Sequence, residues 1–206
     1  MISALQYKIG GGGGETPAPV GATLIKTGQT TSYRTGDDGD IEAGRATSFS
    51  VLASNNPFGN TNRFTDELGG QTFTNNIVID WSTYNGTNVL GYRRTASATA
   101  VTWDNAIDGA LAVSIGSFTS GWRLTNIREV MNIMNYEGGA SFANRLNYSP
   151  LNINEAVLWT STTVYTASTF AYQLTNNGTG FNYAGKTTTA KYIPCRTFTV
   201  TGTTLT

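Results

Sequence analysis

The chain contains no histidine and a single cysteine, Cys195. Without imidazole there is no Ser-His or Cys-His nucleophile pair, no imidazole general base and no His-ligated zinc. One thiol closes no disulfide within the chain and builds no thiolate cage for a metal. Charge is also scarce: 13 Lys+Arg balance 13 Asp+Glu in 206 residues, so 13% are charged against about a quarter in an average soluble domain. A chain without basic excess has no field for following phosphates, which argues against nucleic acid as a partner. No apolar run approaches the roughly 18 residues of a membrane-spanning helix, so no membrane insertion is expected. No cofactor is expected either.

What remains is a composition rich in Gly, Thr, Asn and Ser, with 11% aromatic residues. Asn and Gly favour turns and Thr favours strands. Residues 1–22 stand apart. Met1–Ile9 (MISALQYKI) has too brief an apolar run, and no basic segment before it, to read as a secretory signal. Five glycines, Gly10–Gly14, predict a flexible joint, and Thr16–Pro19 (TPAP) a stiffer spacer. This stretch reads either as a disordered tail or as an anchoring peg and Gly/Pro-rich linker, with Ile2, Leu5, Tyr7 and Ile9 supplying apolar contacts. Residues 23–206 read as one domain.

In that domain short β-prone runs alternate with turns. Phe73–Trp81, Val89–Arg94, Ala98–Trp103, Ala156–Ser161, Phe170–Leu174, Thr179–Tyr183 and Tyr192–Val200 are strand candidates. Asn85-Gly86 and Asn176–Gly178 read as turns between strands. Pro194 predicts an edge or a bulge. Two helices are expected. Thr102–Leu111 opens on a Thr able to cap and carries Trp103, Ile107 and Ala110 on one face. In the second, Asn126 and Glu129 form a capping-box pair before the stripe Ile127, Val130, Met131, Met134, and Asn135 and Gly138-Gly139 end it. Asn144–Glu155 is a long loop of the kind that carries function when ordered. The expected class is α+β: short antiparallel strands, two helices and long loops.

The chemistry-bearing candidates are few. Asp37, Asp38, Asp40 and Glu42 could bind calcium or form an acidic surface turn. Their spacing does not follow the EF-hand loop. Asp66-Glu67 is a second acidic cluster, and Asp104 and Asp108 read as a solvated helix face. Cys195 beside Arg196 has no base to activate it and reads as a buried structural thiol. Arg123, next to Trp122, reads as a hydrogen-bonding fork to a carbonyl or carboxylate, and Arg128, Trp159 and Arg196 as scaffold. Tyr136, Tyr148, Tyr165, Tyr172, Tyr183 and Tyr192 crowd the C-terminal third, together with Asn144, Asn147, Asn152, Asn154, Asn176, Asn177 and Asn182. Aromatic faces with amides suit neutral polar ligands such as sugars, or protein surfaces. The alternative is that half of these tyrosines are core residues with a hydroxyl at the surface. The residues expected to contact a ligand are Tyr165, Tyr172, Asn177, Asn182 and Tyr183.

Lys26–Gly44 (KTGQTTSYRTGDDGDIEAG), with Arg63–Thr65 (RFT), Trp81, Trp103–Ala106 (WDNA), Gly121–Glu129 (GWRLTNIRE), Leu158–Thr163 (LWTSTT) and Ile193–Arg196 (IPCR), resembles the Lcl C-terminal-like domain family, in order over residues 24–200. That family takes its name from the globular tail of a bacterial collagen-like adhesin. The resemblance implies a C-type-lectin-like fold and a surface adhesive module, with glycan binding and trimerisation among its members. Thr125 stands where the family pattern W-R-L-P-x-x-R-E-L has proline. The partner cysteine of many relatives is missing, as is the Glu-Pro-Asn type motif, so calcium-dependent sugar binding does not carry over. The single cysteine likewise excludes the copper-dependent chemistry of formylglycine-generating enzymes that share the fold.

A non-enzymatic virion surface protein is therefore expected: a phage decoration, head-fibre or tail-tip subunit, homo-oligomeric (a trimer favoured). It would be held to other virion proteins through residues 1–9 and would contact host-surface or mucus glycans. Two alternatives stay open: a secreted or surface-attached bacterial adhesin, and a purely structural capsid or fibre subunit without ligand. A glycosidase would need two carboxyls about 5–5.5 Å apart for a retaining mechanism. Asp37/Asp40 and Asp66/Glu67 are the clustered candidates, and neither adjoins an aromatic platform in sequence.

Overall fold

Ile77–Asp80 is a run of four residues without solvent access, and a strand buried on both faces is the element that accommodates it. The computed structural model describes residues 31–32, 34–35, 49–52, 54–68, 71–72, 76–136, 145–175 and 180–206. The segment 1–22, the acidic turn 37–42, the glycines 138–139 and the turn 176–178 lie outside the described residues. Among those described are β1 (Phe64–Thr65), β2 (Glu67–Leu68), β3 (Gln71–Thr72), β4 (Ile77–Asp80), β5 (Asn88–Arg93), β6 (Trp122–Leu124), β7 (Val157–Val164), β8 (Ala167–Thr175), β9 (Gly180–Gly185), β10 (Lys191–Tyr192), β11 (Pro194–Thr201) and β12 (Thr204–Leu205). Two helices accompany them, α1 (Trp103–Leu111) and α2 (Ile127–Asn132). The architecture is α+β.

One antiparallel sheet runs β1-β4-β5-β11-β12, with β6 also paired to β11. A second runs β10-β7-β8-β9, where β10 lies parallel to β7 and the other pairs are antiparallel. β2 and β3 pair separately. The Asn85-Gly86 turn forms between β4 and β5, inside a longer connection that includes a 3-10 turn at Trp81–Thr83. Asn85 Oδ1 accepts from the backbone N–H of Thr87 and Asn88, and Gly86 takes φ 94°, the local device that makes Asn-Gly a turn signal. Gly91 in β5 answers to packing: a Cβ there would stand 2.6 Å from Phe198 Cε2 and 2.8 Å from Ile79 Cδ1.

Three apolar clusters join these layers. Val78, Tyr92 and Cys195 from the first sheet meet Val130, Ile133 and Met134 at α2 and Leu158 and Leu174 from the second sheet. α2 is thus wedged between the sheets. The opposite face of the first sheet carries Ile77, Ile79, Val89, Phe198 and Trp122, covered by Phe118. Trp159 and Ala171 of the second sheet pack on Ala106 and Ala110 of α1.

Several expectations need correction. Ala98–Trp103 is not a strand; Val101 makes an isolated bridge to Ala190. Pro194 is neither at an edge nor in a bulge but is the first residue of the internal strand β11, opposite Leu124, a position where the absent N–H is tolerated. Thr102 occupies the N-cap position of α1 without a side-chain capping bond. The capping box of Asn126 and Glu129 forms. The stripe shifts, however: Ile133 is buried and Met131 is 44% exposed, and α2 ends at Asn132, before Asn135. The described part of the 144–155 loop is an anchor, with Leu146, Leu151 and Ile153 buried in the inter-sheet core.

Candidate ligand-contact face

Side chains alternate between the faces of a strand, and directly paired residues in neighbouring strands share a face. In the second sheet this rule sorts the residues expected to meet a ligand. Trp159 pairs with Gln173 and Gln173 with Asn182; Ala171 pairs with Ala184. These residues form the face toward α1. Leu158 pairs with Leu174 and Leu174 with Phe181, on the face toward α2. Tyr172 and Tyr183, directly paired, continue that second face, and Phe170 lies two residues before Tyr172 on it. The face therefore runs from a buried aliphatic end to an open aromatic end. Tyr183 is 56% and Phe170 36% exposed, and their rings meet edge to face at 5.8 Å.

A bulge shapes this end. The β7–β8 register breaks between Trp159 and Thr163, and a bulge bends a strand and increases its twist. The groups released from the ladder are taken up nearby. Ser161 N donates to Thr125 O at 2.8 Å, and Ile127 N donates to Thr162 Oγ1 at 3.1 Å, docking the bulge onto the start of α2. Thr160 Oγ1 donates to Tyr172 O at 2.9 Å. Tyr165 occupies the two-residue turn between β7 and β8 and is fully exposed.

The structure thus brings Tyr172 and Tyr183 together and adds Phe170, a strand residue to which the sequence assigns no contact. It sets Asn182 on the opposite face, with its Oδ1 accepting from Tyr183 N at 2.8 Å. Asn177 lies outside the described residues. Tyr148 and Tyr192 are not surface ligands. Tyr148 packs on Phe49 and Phe64 and donates its hydroxyl to Ile133 O at 2.7 Å, and Tyr192 is buried under α1. The signal for Phe170 was its period-two spacing from Tyr172, which fixes a common face once the strand is accepted.

Several ionic groups elsewhere are consumed by the scaffold. Arg63 forks onto buried Asp80, with Nε and Nη2 each 2.9 Å from a carboxylate oxygen, and lies over the rings of both Phe49 and Phe64. Asp80 also accepts from Ser82 N, Ser82 Oγ and Asn132 Nδ2. Arg123 forks onto Glu129, as its position beside Trp122 suggested. Burial pushes Glu129 up, but the bonds from Arg123 and from the Asn126 backbone N–H outweigh it and hold the carboxyl below the ordinary range. Burial, reinforced by the Glu129 charge, drives the Cys195 thiol far above the usual range, so it is protonated and inert at neutral pH.

Asp66 is ion-paired with Arg94 at 3.2 Å, while Asp104 and Asp108 are exposed on α1. Among the described residues no three acidic or Cys side chains gather as a metal cage. Asp37, Asp38, Asp40 and Glu42 fall outside them. No helix among the described residues is long and apolar enough to cross a membrane. No protein-family model matches this chain, and the search of curated proteins finds no significant match to it.

Proposed function

We propose that this chain is a non-enzymatic surface protein of a virion, a phage decoration, head-fibre or tail-tip subunit, whose C-type-lectin-like domain contacts host-surface or mucus glycans. The observation that carries the ligand reading is the open aromatic end of the second sheet: Phe170, Tyr172 and Tyr183 on one face, on strands whose other face carries the buried Ala171 and Gln173. Exposed rings held by a rigid sheet lose little conformational entropy on binding and offer flat surfaces to the C–H faces of sugars. The resemblance to the Lcl C-terminal-like domain family, and the lectin-like fold it implies, rest on the ordered motifs in the sequence. The virion placement rests on that resemblance and on the peg, joint and spacer composition of residues 1–22. Single sites of this kind are weak, and symmetric assembly multiplies them.

Retention of multimerised protein on glycan arrays and mucin-coated surfaces tests the reading. Retention on neutral glycans is the expected result, and none on either surface would remove the ligand. A second reading is a structural subunit without ligand. It is favoured by the position of β9, the outermost strand of its sheet among those described. Unpaired edges and exposed aromatics serve subunit contact equally well. A particle structure with the aromatic end buried between copies would establish it.

A further inference from the structure

The strongest polar feature outside the aromatic face lies on the first sheet. Arg196 pairs with Gly91, and Arg93 follows Gly91 by two residues, so both arginines project from the same face of that sheet. Neither has an acidic partner among the described residues. The neighbouring Arg94, on the other face, does, in Asp66. Arg196 lies against the rings of both Phe118 and Phe198, 4.9 and 4.7 Å from their centroids, and its Nε and Nη1 make no hydrogen bond. Gly121, at φ 78°, allows the chain to pass over it; a Cβ there would stand 3.1 Å from Arg196 Nε.

Arg93 opens into a groove of about 350 Å³ lined by Asn76, Val113, Ser114, Ile115 and Gly116. That volume falls in the range of small-ligand sites and suits a single sugar ring. We propose that this groove binds the carboxylate of an acidic sugar residue. Arg93 supplies a planar fork that matches a carboxylate in bidentate fashion. Ser114 offers a neutral hydrogen bond to a hydroxyl, and Val113 and Ile115 cover the ring's C–H face. One fork among neutral groups matches a singly charged planar anion better than a phosphate dianion. Arg196 adds positive potential from the same face. The site stands apart from the aromatic end of the second sheet and does not depend on it.

Titration of the full chain with sodium glucuronate, glucose and inorganic phosphate, followed by amide and arginine side-chain NMR, tests the proposal. The expected result is saturable movement of the Arg93 Nε–H signal and of residues 113–116 with glucuronate, and none with glucose. Arg93→Gln should weaken glucuronate binding by about tenfold or more, as the loss of a charge-assisted hydrogen-bonded pair implies. Arg93→Lys, which keeps charge without the fork, should recover only part of it. Tyr183→Ser should leave it intact, which separates this site from the neutral-glycan reading. An oligoglucuronate that binds at least as tightly as the monomer identifies a polymer as the source; monomer-only binding identifies a free sugar acid. Equal response to glucose, phosphate as strong as glucuronate (an adventitious ion only), or an unchanged Arg93→Gln variant would overturn the proposal.

Discussion

At the scale of single residues the molecule separates groups that hold the fold from groups that face outward. Asp80 receives five hydrogen bonds, from Arg63, Ser82 and Asn132. A buried pair stripped of one partner leaves an uncompensated charge, which costs about 3–5 kcal/mol. Arg63→Met should therefore lower stability by that order in urea unfolding, and a loss near zero would mean the pair is not formed. Glu129 gives a pH signature. Its folded value is depressed, so its contribution is full above the ordinary glutamate value of about 4.3 and is lost as pH falls through the lower folded value. Glu129→Gln should flatten the acid limb of stability against pH below the ordinary glutamate value of about 4.3. Cys195, buried and shifted upward, should resist thiol reagents in the folded protein at pH 8 and react fully in denaturant. Rapid reaction of the native protein would contradict its placement.

At the scale of elements, Gly91 shows that close packing sets a residue's identity inside a strand. Gly91→Ala drives a methyl into Phe198 and Ile79, and overpacking of this kind costs about 1–3 kcal/mol. An unchanged unfolding midpoint would show that the rings yield. The legibility of the sequence also divides by element. The capping box at Asn126 and Glu129 and the β7, β8, β9 and β11 strands were readable, because caps and period-two patterns are local. The Ala98–Trp103 segment misled because Val101 and Trp103 have strand propensity, while the partners that hold them, Ala190 and Thr160, are distant in sequence. The Arg63–Asp80 pair, 17 residues apart, gave no local signal at all. The edge or bulge expected at Pro194 fails because the rule for proline in sheets depends on position within a strand, and nothing local in the sequence marks the start of β11.

At the scale of the whole molecule, two sheets with α2 between them leave one aromatic end open. Of the candidate face, Tyr172 and Tyr183 stand out by composition, and their pairing comes only with the register. Asn182 lies on the opposite face from Tyr183 because adjacent residues on a strand point to opposite faces. The central claim is that this end is a contact surface and not a structural necessity. The most direct measurement is retention of the multimerised Phe170→Ser/Tyr183→Ser protein on mucin and neutral glycan surfaces, beside its thermal midpoint. The account predicts a loss of retention by about tenfold or more through the lost aromatic anchors, with the midpoint nearly unchanged because both side chains are exposed. Retention equal to that of the unaltered protein, with the fold intact, would contradict it.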